Sequence, residues 1–459
     1  MTASCGFLRR PVPAALLAAL LTACAQPGGP LPTARPDIPA MLPVARPAGE
    51  STAALGWREL APEPALQRLV ELALGGNRDL RVAALNVQRQ QALLAAASAN
   101  RLPTVGAGLN AQRAPNAQGR EANGFSAGLQ LASWEIDLFG RLASLDDAAR
   151  AQWLASDAGR RAAEWSLVAQ VLSGALALRA DEALLAVARR TLASREQTLG
   201  LTRLREQAGA SSALDLQAQL ALTAQTRATL AQLQRQRAQD ENALAALLGQ
   251  PVPADALVMP VGDALASLAE VPVGLSSQVL LQRPDVVQAE QQLAAAQANI
   301  TAARAALWPA ITLTAQAGQA SSALTGLFQG GHFAYSLAAS AVLTVFDGGR
   351  RDAGIAAADA SGRIALAQYE KTVQQAFRET ADALAGQATW PEQIAALQQQ
   401  QDAARDAAGL VDLKLRHGAS SALEQQDAQR SLFAAEQALV LARLAELNNR
   451  VALFKALGR

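Results

Sequence analysis

Two hydrophobic periods alternate along this chain, and the alternation happens twice. From Asp79 to Ala99 apolar and small residues recur at helical spacing. The period then drops to two. Val105, Ala107, Leu109 and Ala111 alternate with Thr104, Gly106, Gly108 and Asn110, and after a polar loop Phe125, Ala127, Leu129 and Leu131 alternate with Ser126, Gly128 and Gln130. In the second half Ile311, Leu313, Ala315 and Ala317 alternate with Thr312, Thr314, Gln316 and Gly318. Phe333, Tyr335, Leu337, Ala339, Ala341 and Leu343 alternate there with small residues. The pattern predicts four strands, at 102–112, 124–136, 309–319 and 332–346, each with one apolar face and one small or polar face. Membrane-barrel strands have this pattern. A pair of soluble hairpins packed on a helical core is the alternative.

After each pair of strands the helical period returns and persists. The stretch from Gly140 to Gly209 holds about 69 residues, or ~100 Å of helix at ~1.5 Å per residue. The stretch from Gly349 to Gly418 is read in the same way, as one uninterrupted helix. The expected elements are long helices at 140–208 and 350–416 and return helices at 212–248 and 421–455. A helix of that length has to lie against other helices. The last one carries a seam at heptad-like spacing: Leu432, Ala435, Leu439, Ala442, Leu444, Leu447, Val451 and Phe454.

The two halves are an internal repeat. The hexapeptide GASSAL stands at Gly209–Leu214 and again at Gly418–Leu423, 209 positions apart, and Gly140-Arg141 matches Gly349-Arg350 at the same offset. Upstream, Asp79 pairs with Asp285 and Pro103 with Pro309 at an offset of 206. The repeats are placed at 57–255 and 283–459, each reading as helix, two strands, long helix, turn and return helix. A proline-punctuated equatorial segment at 256–282 connects them. In each turn a glycine lets the long helix stop and reverse, and the serines after it can cap the next helix.

Four strands cannot enclose an open lumen, since single-chain outer-membrane barrels begin at about eight. If these strands lie in a membrane, several chains share one barrel. The N-terminus fits a membrane address. Arg9 and Arg10 precede a short apolar run, Ala14–Leu21, too short to span a bilayer. The run ends in Leu21-Thr22-Ala23-Cys24, which resembles the lipobox of bacterial lipoproteins. An ordinary secretory cleavage site is the alternative. The resemblance implies a signal peptide at 1–23, a covalent lipid on Cys24, and a lipidated proline-rich arm at 24–56. Ala25 is not the aspartate that commonly retains such proteins in the inner membrane, so the outer membrane is the expected destination.

Composition removes other classes. A formal net charge of +1 over 459 residues argues against nucleic acid. Two cysteines and two histidines cannot build a disulfide or metal framework. His332 and His417 have no visible partners. Asp146 and Asp147 read as first-turn carboxylates favoured by the helix dipole. No nucleophile–base constellation is visible, and the chain is not expected to be an enzyme or to hold a cofactor other than the lipid.

Three stretches carry a resemblance that covers nearly the whole mature chain. They are RPDVVQAEQQLAAAQANITAARAALWPAITLTAQAG at Arg283–Gly318, TVFDGGR at Thr344–Arg350, and LRHGASSALEQQDAQRSLFAAEQALVLARLAEL at Leu415–Leu447. They resemble the TolC-like outer-membrane factors, in the lipoprotein branch that serves resistance-nodulation-division (RND) efflux pumps. The resemblance implies a mainly α chain with a membrane β-barrel. Four strands per subunit would join a shared barrel in a homotrimer, above a long periplasmic α-helical barrel. The partners it implies are a periplasmic adaptor (membrane fusion protein), an inner-membrane RND pump and outer-membrane lipid. The function it implies is a passive exit duct for drugs or other small toxic compounds. A channel for type I protein secretion on the same scaffold and a non-conducting structural lipoprotein are the alternatives. The turns at Gly209, Ser211, Ser212 and Gly418, Ser420, Ser421 become hairpin tips for adaptor docking. The family's gate positions fall on Leu423, Asp427 and Arg430, as an apolar constriction, a carboxylate ring and a tie to neighbouring helices. Their spacing of four and three puts them on one helix face, where Asp427 and Arg430 equally make an ordinary exposed pair. Leu214 matches Leu423 in the first tip, but Ala218 or Gln219 stands where Asp427 aligns, so the charged ring is expected from one tip per subunit.

Overall fold

The computed structural model describes residues 56–458 apart from 116–118, 255–264, 266, 272–276, 330–332 and 418. Cys24, the signal peptide, the proline-rich arm to residue 55, His332 and Gly418 lie outside the described residues. After a single helical turn at Trp57–Leu60 come α1 (Pro64–Gly76), α2 (Arg78–Ala99), β1 (Val105–Pro115), β2 (Glu121–Glu135), α3 (Arg141–Gln207) and α4 (Ala213–Leu248). The second half supplies α5 (Pro284–Ala305), β3 (Ala310–Ser321), β4 (Phe333–Val342), α6 (Arg350–Arg416) and α7 (Ala422–Leu457). Both α3 and α6 span 67 residues, which is ~100 Å of helix.

The strands form one antiparallel sheet in the order β1-β2-β3-β4. Here the alternation fixed the strands but not their ends. β4 stops at Val342, short of the expected 346, and Val345 and Phe346 are almost fully exposed beyond it. β2 begins earlier than expected, at Glu121, because Pro115–Glu121 closes the β1–β2 ladder. A bulge between Leu131 and Trp134 interrupts the β2–β3 register, with Ser133 at φ 47. Such a bulge bends a strand and raises its twist.

Glycines in left-handed conformation start both long helices: Gly140 at φ 75 and Gly349 at φ 86. The upper part of α3 packs on α2 and α5, while α4 returns along its lower part; α6 packs in the same way on α5 and then α7. The second long helix is not free of proline. Pro391 lies inside α6, and its missing N–H leaves the Gln387 carbonyl without a helical donor. An interior proline costs about 3 kcal/mol in an isolated helix. Tertiary ties offset it here: Gln387 Nε2 donates to the Val271 carbonyl at 3.3 Å, and Asn449 Nδ2 to the Ala383 carbonyl at 2.9 Å.

The main apolar core lies where the halves meet at mid-height. Leu66, Leu69 and Val70 of α1, Leu172 and Leu176 of α3, Leu248 of α4, Leu384 of α6 and Val451 and Phe454 of α7 bury together. Trp165 packs on Phe454 with ring centroids 4.9 Å apart. Of the α7 seam read from the sequence, Ala435, Leu439, Ala442, Leu447, Val451 and Phe454 are buried. Two buried arginines clamp this girdle. Arg179 of α3 meets Glu63 and donates to the Leu265 carbonyl. Arg283 pairs with Asp285 and with Glu379 of α6, and reaches the Ala456 carbonyl of α7 at 3.2 Å. Asp146 is not a free first-turn carboxylate: it is buried, takes a hydrogen bond from Ser98 Oγ and lies 3.6 Å from Arg101, tying α3 to the end of α2.

Candidate barrel wall and helical-hairpin tips

Residues paired directly across an antiparallel sheet share a face, so the register sorts the side chains. One face carries Leu109, Ala127, Gln319 and Phe333 in a row, then Ala107, Leu129, Ala317 and Tyr335, then Val105, Leu131, Ala315 and Leu337. Over these three rows it is apolar apart from the Gln319 amide, with Arg113, Asn123, Glu121 and Ser321 beyond them toward the strand ends, and it is uncovered. Leu109 is 79% exposed, Tyr335 78% and Leu337 68%. The opposite face carries Asn110, Ser126 and Ala320, then Gly108, Gly128, Gly318 and Ala334, then Gly106, Gln130, Gln316 and Ser336. A sheet exposing its large apolar side chains and turning amides, hydroxyls and glycines the other way is inverted relative to a soluble hairpin on a core. It is suited to lipid outside and water inside. Among the described residues no helix is long and apolar enough to cross a membrane.

Glycine has a specific job on the inner face. A Cβ at Gly128 meets the Ala317 carbonyl oxygen and lies 2.6 Å from Gly318 Cα, and one at Gly318 meets the Ala127 carbonyl oxygen and lies 2.5 Å from Gly128 Cα. The β2–β3 crossing therefore closes only with glycine at both positions.

At the far end of the helices the two tips are built alike. Gly209 takes φ 71. The Ser212 hydroxyl accepts from Asp215 N at 3.1 Å, and the Asp215 carboxylate accepts from Ser212 N and Ser211 Oγ at 3.2 Å each. This is a capping box. The Ser212 hydroxyl and amide hydrogen bonds hold the Asp215 carboxyl below its ordinary value. In the second tip Ser421 Oγ accepts from Glu424 N at 3.2 Å and Ser420 Oγ donates to the Glu424 carboxylate. The Ser420 hydrogen bond is the main reason that this carboxyl too lies below its ordinary value. Both tips present an exposed leucine at the second residue of the return helix: Leu214 at 77% and Leu423 at 62%.

The structure brings Asp427 and Arg430 together on one helix face, as an ion pair with both side chains exposed. Among the described residues of one chain Arg430 pairs with Asp427 alone, and its charge acts on Arg195 of α3. Sequence reading missed the layer around Arg195. This arginine is 2% exposed, donates to the Leu222 carbonyl and Thr226 Oγ1 of α4, and lies 5.5 Å over the Phe433 ring of α7. Gln219 Nε2 donates back to the Arg195 carbonyl at 3.3 Å. Glu436, one turn after Phe433, lies 3.7 Å from Arg190 of α3 and 3.8 Å from Arg405 of α6. The signal available was the difference between the repeats: at the 209-residue offset Arg195 corresponds to Ala404 and Thr226 to Ala435.

The sequence profile of the family described as outer membrane efflux protein matches residues 69–250 and 275–459. The chain belongs to that family. This outer membrane efflux protein is 39% identical over 440 residues to the probable efflux pump outer membrane protein TtgC of Pseudomonas putida, across 94% of this chain and 90% of the relative. A solved membrane protein from Pseudomonas aeruginosa matches with a TM-score of 0.83 at 37% identity, covering 91% of this chain and 97% of that one. The open-state MtrE outer membrane channel of Neisseria gonorrhoeae matches with a TM-score of 0.78 at 34% identity, covering 91% and 98%. The TolC-like architecture, the outer-membrane location and the efflux-channel role expected from the sequence are thereby borne out. The family is one of channel proteins, not of enzymes.

Proposed function

We propose that three copies of this efflux protein close one twelve-stranded barrel and one helical tunnel, forming the passive exit duct of an RND-type tripartite pump for small toxic compounds. The inverted sheet carries the reading. Its four strands expose apolar side chains, and among the described residues of one chain nothing pairs the outer edges of β1 and β4. Open edges and unsatisfied backbone groups are not tolerated in hydrocarbon, and four strands are half the smallest single-chain barrel. Pairing β4 of one copy with β1 of the next removes every edge.

In this reading the lipid on Cys24 fixes the chain to the outer membrane, and the tips at Gly209–Ser212 and Gly418–Ser421 dock a periplasmic adaptor. The physical support is the doubled serine–carboxylate cap, which fixes the backbone of each tip and leaves its leucine outside. Leu423 and Asp427 narrow the periplasmic mouth, with Arg430 neutralising Asp427 along the helix. Purification in detergent, mass determination and single-channel recording in a planar bilayer test the assembly. Mass spectrometry of the N-terminal peptide tests the lipid. A monomer that never conducts contradicts the shared barrel, and an unmodified Cys24 contradicts the anchor.

A further inference from the structure

The first hairpin, α3–α4, contains a feature that its counterpart lacks. Arg195 of α3 reaches Thr226 of α4, and Glu182 of α3 reaches Arg237 of α4, and this antiparallel register sets Asp181 of α3 opposite Asp240 of α4, where the two carboxyls interact. Asp181 is 6% exposed, and its Oδ2 has no hydrogen-bond partner. Among the described residues no ion pair neutralises it. Arg237 is the one base whose charge acts on Asp181, and it is bound to Glu182 and, at 2.8 Å, to Glu241. Arg179, two residues earlier, is taken by Glu63 at the start of α1 and by the Leu265 carbonyl. On α7, which also packs against α3, Glu446 holds Arg450, and Arg443 donates to Gln398. Gln236 Nε2 donates to both oxygens of Asp240 at 3.1 Å and so supports charge there rather than on Asp181.

Two carboxyls in contact, one of them buried, cannot both be ionised without a cation between them. We propose that Asp181 and Asp240 share one proton, and that this proton ties α3 to α4 so that the first hairpin is tighter at acidic than at alkaline pH. Burial, the hydrogen bond to Asp240 and the charges of Asp240 and Glu182 push the Asp181 carboxyl up to about 7, against the pull of Arg237. The sign follows. The folded hairpin holds a proton that the unfolded chain releases near the ordinary carboxylate value. Its stability therefore falls as pH climbs from that value to about 7, and is flat above. At the 209-residue offset the second hairpin carries Trp390 and Asn449 in place of the pair, and Asn449 donates to the Ala383 carbonyl. The response is confined to one of the two hairpins, which makes it readable against an internal control.

Hydrogen exchange of the purified full-length protein, at about pH 5.5 and about pH 8.5 and corrected for the intrinsic rate, tests this. Peptides around Asp181 and Asp240 should lose about tenfold in protection at the higher pH, while those around Trp390 and Asn449 keep theirs. Asp181→Asn, which is isosteric and still able to donate to Asp240, should remove the pH dependence and keep protection high at both values. Infrared spectra of the wild type at about pH 5.5 should show a protonated-carboxyl band that this variant lacks. Equal protection of the wild type at both pH values, an unchanged response in Asp181→Asn, or a spectrum without that band each overturns the proposal.

Discussion

Alanine at Gly128 adds one methyl group and is expected to cost far more than a methyl group usually does. Its Cβ enters the space of the Ala317 carbonyl oxygen and lies 2.6 Å from Gly318 Cα. Both obstacles are backbone in a paired strand, with Leu129–Ala317 on one side and Ala127–Gln319 on the other. The overlap is relieved only by opening the β2–β3 ladder. Overpacking of this kind costs about 1–3 kcal/mol, and each ladder hydrogen bond lost adds about 1 kcal/mol. With two bonds lost the expected destabilisation is about 3–5 kcal/mol, offset by less than ~1 kcal/mol from alanine's smaller unfolded-state entropy. Gly124→Ala is the control, because its Cβ meets only the flexible Gln112 side chain, at 3.3 Å; it should cost under ~1 kcal/mol. Gly318→Ala presses on the same crossing from the other side, so the double variant should cost less than the sum. Denaturant midpoints of the detergent-solubilised protein measure all four. Equal midpoints for Gly128→Ala and Gly124→Ala would refute the reasoning.

Other perturbations follow from the same geometry. Glu63→Gln leaves buried Arg179 without its counter-charge and should lower stability by about 3–5 kcal/mol in a denaturant titration; Arg179→Met, which removes the charge as well, should cost less. Asn77→Ala removes both the α2 cap on Leu80 N and the bond to the Leu247 carbonyl, and should lower stability by about 1–3 kcal/mol in the same assay. Burial raises the Glu379 carboxyl, but its bonds to Arg283 and Gln375 and the Arg283 charge outweigh that and hold it below its ordinary value. Its stabilisation is therefore complete above that ordinary value and lost as pH falls through the lowered one, so Glu379→Gln should flatten the acid limb of a stability–pH curve. Asp427→Ala, alone or with Leu423→Ala, should raise the resting single-channel conductance without changing the mass of the assembly; an unchanged conductance removes these residues from the gate.

Patterns with short periods were readable in the sequence, and contacts across long separations were not. Alternation at Val105–Ala111 and Phe333–Leu343 announced strands with one apolar face, and the structure exposes that face. The paired GASSAL turns announced hairpin tips, because a glycine followed by capping serines is a local signal; Gly209 is left-handed, and Ser212 and Ser421 cap the return helices. Strand ends were less readable, since Pro115–Glu121 pairing depends on the partner strand. The bulge at Ser133 follows from no local rule of composition and appears only in the register of β2 against β3. Pro391 is passed over when 349–418 is read as one uninterrupted helix, and the helix does run through it, because packing on α7 and the bond to Val271 carry it past the missing N–H. The buried groups Arg179, Arg195 and Asp181 on helices, and Arg283 just before one, look like ordinary surface charges until the fold brings Glu63, Thr226, Asp240 and Glu379 to them.

The central claim is that four inverted strands from each of several chains make one gated pore. Recording single-channel current from the purified protein, together with its mass in detergent, tests it most directly. The account predicts a trimer with small resting conductance that rises when Asp427 and Leu423 are replaced by alanine. A monomer that never conducts, whatever stands at those positions, would contradict it.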